Sequence, residues 1–115
     1  MTHGIVRHLQ MLSAYQKMSL TKNQIKTLRG LCHSLKPVIM IGQKGLTSEV
    51  LEELEIAINH HELVKIKIAM DDRDARKEMI KNICEQSQSE NVQVIGKTVS
   101  VYRKNTDKPV IELPK

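Results

Sequence analysis

Between Leu20 and Arg103 the spacing of apolar residues changes repeatedly, and each change marks an element. Ile25, Leu28, Cys32 and Leu35 recur three or four residues apart, one stripe of a helix. Thr21 and Gln24 stand at capping-box spacing at its start, with Leu20 and Ile25 where a hydrophobic staple packs. Pro37 ends this segment and favours extended backbone at Lys36. Val38-Ile39-Met40-Ile41 is a short unbroken apolar run, and it predicts a strand covered on both faces. Gly42-Gln43-Lys44-Gly45 interrupts it. Thr47, a good N-cap residue, opens a second helix with Val50, Leu51, Leu54 and Ile58 on one face. Glu52, Glu53 and Glu55 take much of the remaining surface, and His60-His61 close the helix.

From Leu63 to Ala69 the pattern alternates: Val64, Ile66 and Ile68 point one way and Lys65 and Lys67 the other, a strand with a packed face and a basic one. Asp71-Asp72-Arg73-Asp74 opens a third helix, its acids favoured by the dipole, with Ala75, Met79, Ile80, Ile83 and Cys84 as the apolar stripe. Val92–Ile95 predicts a third strand. Gly96-Lys97 suits a type II′ hairpin turn, and Thr98–Arg103 a fourth strand with Val99 and Val101 on one face and Ser100 and Tyr102 on the other. The order α-β-α-β-α-β-β predicts a compact single α/β domain over residues 19–104, with a mixed four-stranded sheet and right-handed crossovers. Residues 1–18 read as an appendage, either a mobile arm or an extension from an upstream start. Ile5, Val6, Leu9 and Leu12 there would suit a short helix. Residues 105–115, with Pro109 and Pro114, read as a loose tail.

Composition narrows the function classes. The chain has 115 residues, 40% apolar and 27% charged, with no Trp or Phe and two Tyr. The core is therefore aliphatic, and recognition by stacking several bases on aromatic rings is disfavoured. Cys32 and Cys84 fall on apolar helix positions and read as buried free thiols of a reducing compartment; a disulfide or a reactive thiol is the alternative. No apolar run approaches the ~18 residues of a membrane span, and Arg7, His8 and Gln10 break the first residues as a signal peptide. The net charge of +5 is unevenly placed: residues 1–48 contain seven Lys/Arg and no acid. Such asymmetry suits a face that attracts a polyanion, or else a basic surface without a role.

The glycine loop lies between a strand and a helix start. Glycines permit positive φ and close backbone approach, amides at a helix start attract phosphate oxygens, and Lys44 adds a point charge. A GxxG loop that clamps a nucleic-acid backbone is the device of KH domains, although the same four residues also make a plain tight turn. Glu49, in the following first turn, competes for the same dipole. A nucleotide P-loop is excluded because Leu46, not lysine, follows Gly45. Lys22, Lys26, Arg29 and His33 form a basic helix stripe; a solvated face is the commoner reading of such a stripe, and the absence of any interrupting acid favours a binding role. Lys65 and Lys67 suit phosphate contact or edge protection. Lys36, Lys97 and Arg103 complete the candidate RNA-binding cations. His60 and His61 are adjacent and point about 100° apart on a helix, so they do not share a metal; no zinc spacing, acid/base pair or nucleophile motif is present. An enzyme is the weaker class, and no cofactor is expected.

Three segments carry a resemblance: Leu35–Thr47 (LKPVIMIGQKGLT), His60–Ile68 (HHELVKIKI) and Val92–Lys97 (VQVIGK). In this order they closely resemble the bacterial YhbY-like family of stand-alone CRM domains, named for chloroplast RNA splicing and ribosome maturation, from about Leu20 to Arg103. The resemblance implies RNA binding in association with precursors of the large ribosomal subunit, with plant relatives assisting group II intron splicing. It implies a fold like the C-terminal domain of a bacterial translation initiation factor. It maps the family's glycine loop onto Gly42, Gln43, Lys44 and Gly45. Residues 1–17 depart from the short bacterial members, which generally lack them. The expected partner is ribosomal RNA, with no membrane and no small-molecule substrate, for a cytoplasmic monomer. The alternative is an adaptor whose acidic second helix, Glu52, Glu53 and Glu55, contacts a basic protein.

Overall fold

The computed structural model describes residues 20–115, and the helical pattern expected around Ile5–Leu12 lies outside the described residues. The elements are α1 (Lys22–Cys32), β1 (Ile39–Ile41), α2 (Ser48–His61), β2 (Leu63–Ile68), α3 (Arg73–Ser87), β3 (Glu90–Ile95) and β4 (Thr98–Tyr102), in the order expected. Local chemistry starts each helix. Thr21 and Gln24 form a reciprocal capping box on α1, the Thr47 side chain accepts from the Val50 amide, and Asp72 accepts from the Asp74 amide. Gly96 takes φ +58° while Lys97 does not enter the left-handed region, as a type II′ turn requires.

The sheet order is β1-β2-β4-β3. β1 and β2 are parallel, and β4 is antiparallel to both β2 and β3. The last strand is therefore inserted between the two strands that α3 joins. β3 begins at Glu90, earlier than the apolar pattern indicates, because pairing of Glu90 with Tyr102 and Asn91 with Val101 recruits two polar residues. A bulge between Asn91 and Gln93 accompanies the packing of Val92 against α1.

Two aliphatic layers result. Ile39, Ile41, Val64, Ile66, Ile68, Val99 and Val101 face Leu54, Ile58 and Ile83 of α2 and α3. On the other side Leu28 and Cys32 of α1 cover Leu63, Val92 and Tyr102. Both cysteines are outside disulfides. α1 packs on β2 and β3 and leaves β1 uncovered, so the expectation of a strand covered on both faces is corrected. Val38 is 58% and Met40 62% exposed, and β1 is a half-covered edge strand.

Residues 105–115 contain no regular element, yet the expectation of a loose tail is also corrected. Glu62, wholly buried at φ +63°, turns its carboxylate onto the backbone amides of Asn105 (2.7 Å), Val110 (2.9 Å) and Ile111 (2.6 Å). Ile111 and Leu113 then join the α1 layer, and the Gln24 amide donates to the Pro114 carbonyl at 2.9 Å. Burial, with the Glu62 carboxylate nearby, pushes the Tyr102 hydroxyl up to about 12.

Candidate nucleic-acid interface

The Gly45 amide donates to the Gly42 carbonyl at 3.0 Å, closing a four-residue turn with Gln43 and Lys44 exposed at its tip. The amides of Gln43 and Lys44 donate to no other described residue. The two glycines differ. Gly45 has φ +78°, and a Cβ there would meet Met79 Cε at 3.4 Å; a Cβ on Gly42 would meet nothing within 4 Å. Only Gly45 is needed for the turn itself. α2 starts at Ser48, and Thr47 already occupies the Val50 amide at 3.2 Å, so the loop's own amides are better placed for an anion than those of the helix start.

Backbone bonds hold three connections side by side. The Ala69 amide donates to Ile41 and the Ile68 amide to Lys97, both at 2.7 Å. The glycine turn, the β2–α3 connection and the Gly96-Lys97 turn therefore crowd one end of the sheet, where β1, β2 and β3 have their carboxyl ends. Open α/β sheets bind ligands at this end. Lys67 pairs with Met40 and Thr98 on the sheet face beside it. Lys44 and Lys67 are exposed and their ammonium groups make no bond with another described residue, while Lys97 reaches Asp71 at 2.6 Å. The Lys97 ammonium holds the Asp71 carboxyl below its ordinary value.

The other candidates are elsewhere. Lys22 and Lys26 are exposed on α1, which covers the opposite end of the sheet around Leu63 and Tyr102. Arg29 Nε donates to the Val92 carbonyl at 3.1 Å and ties α1 to β3. Lys36 is exposed in the connection to β1. Lys65 is half-buried, and its Nζ donates at 2.9 Å to the Cys32 carbonyl, which also accepts from the Leu35 amide at the end of α1.

Arg103 is engaged within the fold. Its Nη1 donates to Glu55 Oε1 (2.9 Å) and Ser87 O (2.8 Å), and its Nη2 to Glu55 Oε2 (3.0 Å) and Asn59 Oδ1 (2.8 Å). Both terminal nitrogens are engaged in clamping α2 to the end of α3. Arg103→Ala should cost about 1.5–3 kcal/mol, the range for a hydrogen bond to a charged group, while the folded variant keeps parental RNA affinity. Thermal melting and RNA titration on one sample check both halves. The same clamp withdraws Glu55 from the acidic helix face, leaving Glu52 and Glu53 exposed.

Three cations escaped the sequence reading. Arg73, Arg76 and Lys77 of α3 line a cleft against Lys97. Their i, i+3, i+4 spacing was the available signal, and only the position of the hairpin gives it meaning.

Over residues 20–103 the sequence matches the CRS1 / YhbY (CRM) domain. The chain belongs to that family. Similar proteins include one from Pseudomonas aeruginosa named "Probable RNA-binding protein", 49% identical over 88 residues, 76% of this chain and 85% of that one. Another, from Haemophilus influenzae and named "RNA-binding protein", is 41% identical over 97 residues, 84% and 97% of the two chains. A solution structure of a Staphylococcus aureus protein, described as a candidate RNA-binding protein, superposes with a TM-score of 0.71 at 33% identity, covering 83% of this chain and 99% of that chain. The three-helix, mixed four-stranded architecture is thus the CRM architecture.

Proposed function

We propose that this CRM protein binds RNA at the carboxyl end of its sheet, with ribosomal RNA in large-subunit precursors as the ligand. One observation carries the reading: the unpaired amides of Gln43 and Lys44 stand at the tip of a fixed turn, at the end of the sheet where Lys67 and Lys97 also lie. Amides and ammonium groups in that arrangement suit phosphate oxygens, which position an RNA without specifying its sequence. Lys22, Lys26 and Lys36 give α1 and its exit a second basic surface, toward the opposite end of the sheet. The relatives named for RNA binding support the polymer, and the resemblance to YhbY-like proteins supports the ribosomal assignment.

Binding to purified large-subunit ribosomal RNA should weaken steeply with salt, because each lysine–phosphate contact releases counterions. Lys44→Glu combined with Lys67→Glu should reduce the magnitude of the log–log salt slope by about 1.4–1.8, at roughly 0.7–0.9 per lost contact. An unchanged slope removes this end of the sheet from the interface. Co-sedimentation with large-subunit precursors should disappear on complete nuclease digestion. Survival of the association would instead favour a protein adaptor working through Glu52 and Glu53.

A further inference from the structure

The cleft between α3 and the β3–β4 hairpin is separate from the glycine turn. It has a volume of about 680 Å³, within the range of ligand pockets. Arg73, Arg76 and Lys77 line one wall and Lys97 the other, with Ile80 and Val94 between them and no carboxylate in the lining. Val94 pairs with Val99, whose side chain lies in the α2–α3 layer, so the cleft opens on that side of the sheet. Lys67 pairs with Thr98 and faces the α1 side. The hairpin turn separates the two.

Of the four cations lining the cleft, Lys97 is paired with Asp71 outside the lining, while Arg73 and Lys77 are not paired among the described residues. Arg73 and Lys77 are exposed, make no hydrogen bond or ion pair with another described residue, and stand four apart, a spacing at which like charges repel. Arg73 also occupies the first turn of α3, where the helix dipole disfavours a cation. Arg76 donates through Nη1 to the carbonyls of Met70 and Asp71, which fixes its guanidinium at the wall. Asp71 is drawn to Lys97 and does not line the cleft. A fixed guanidinium at Arg76 and the unpaired like charges of Arg73 and Lys77, around a half-apolar cleft, make a site that an anionic polymer would relieve.

We propose that this cleft takes a second segment of RNA backbone, so that the hairpin straddles a folded RNA with one segment at Lys44 and Lys67 and another at Arg73 and Lys77. The inference rests on the RNA reading above and adds the second strand to it. The probes are a synthetic RNA hairpin and a single strand of the same length and composition. Arg73→Glu with Lys77→Glu should lower affinity for the hairpin at least about tenfold and reduce its salt slope by about 1.4–1.8, at roughly 0.7–0.9 per contact. Affinity for the single strand should remain within about twofold. Arg73→Gln with Lys77→Gln, which adds no acid to the Asp71–Asp74 segment, should show the same preference at smaller amplitude, with a melting temperature no lower than the parent's. Parental hairpin binding in both variants overturns the second segment and leaves the glycine-turn site standing. Equal loss on both probes overturns the straddling arrangement. A parent protein that binds neither probe overturns the RNA reading together with this inference.

Discussion

Gly42→Asp should lower affinity for large-subunit ribosomal RNA by at least about 30-fold, roughly 2 kcal/mol at 1.4 kcal/mol per decade, with the melting temperature unchanged. The added carboxylate stands beside the unpaired amides of Gln43 and Lys44, where an anion is expected to sit. Two unit charges about 4 Å apart near a protein surface repel by about 4 kcal/mol, so a 2 kcal/mol loss is conservative. The fold is spared because Gly42 has no left-handed φ and a Cβ there meets nothing within 4 Å. Gly42→Ala separates two causes. If it binds as the parent does, charge alone is responsible; if it also loses affinity, the RNA backbone comes within a methyl group of Gly42. Gly45→Asp is the poorer test. At φ +78°, with Met79 Cε at 3.4 Å from its Cβ position, any side chain there costs roughly 1–2 kcal/mol of stability and blurs the binding result. Parental affinity in folded Gly42→Asp protein would dismiss the loop as a contact.

The second large effect concerns a residue that touches no RNA in this scheme. Glu62→Ala should lower the melting temperature by roughly 12–24 °C, corresponding to about 3 kcal/mol at 4–8 °C per kcal/mol in a domain of this size. Each hydrogen bond to a charged group contributes about 1.5–3 kcal/mol, and Glu62 accepts three from the Asn105, Val110 and Ile111 amides. The total is capped because residues 105–115 can leave the body and return their amides to water. Glu62→Gln keeps one acceptor oxygen and should lose less. Truncation after Lys104 should approach the loss of Glu62→Ala, and the two changes combined should cost little more than either, since they remove the same contacts. Additive losses, or an alanine variant that melts within 2–3 °C of the parent, would refute the docking role.

Arg103, Lys65 and Glu62 show where a residue's type misleads about its role. Arg103 and Lys65 are charged and stand in or beside strands, which reads as a surface offered to a ligand, and the sequence reading assigns Glu62 no role. Each instead finds backbone or side-chain partners distant in sequence: Arg103 in Glu55 and Ser87, Lys65 in the Cys32 carbonyl, Glu62 in the amides of 105–111. The Arg73–Lys77 group errs in the opposite direction. It reads as an ordinary helix face and becomes a cleft wall only because the hairpin folds against it.

What the chain determines by itself is what its neighbours along the chain can specify. Thr21, Thr47 and Asp72 cap helices with side chains two or three residues away, Gly96 supplies the positive φ of its own turn, and the 3.6 and 2.0 periods separate helices from strands. Element order and the glycine turn followed from these local terms, and the resemblance carried the family. Tertiary structure alone decided that β4 enters between β2 and β3, that α1 stops short of β1, and that the tail is held by Glu62. It also sorted the cations into those that are spent and those that are free. These outcomes depend on contacts between segments tens of residues apart, whose formation balances desolvation and chain entropy against packing. No periodicity or spacing in the sequence encodes that balance.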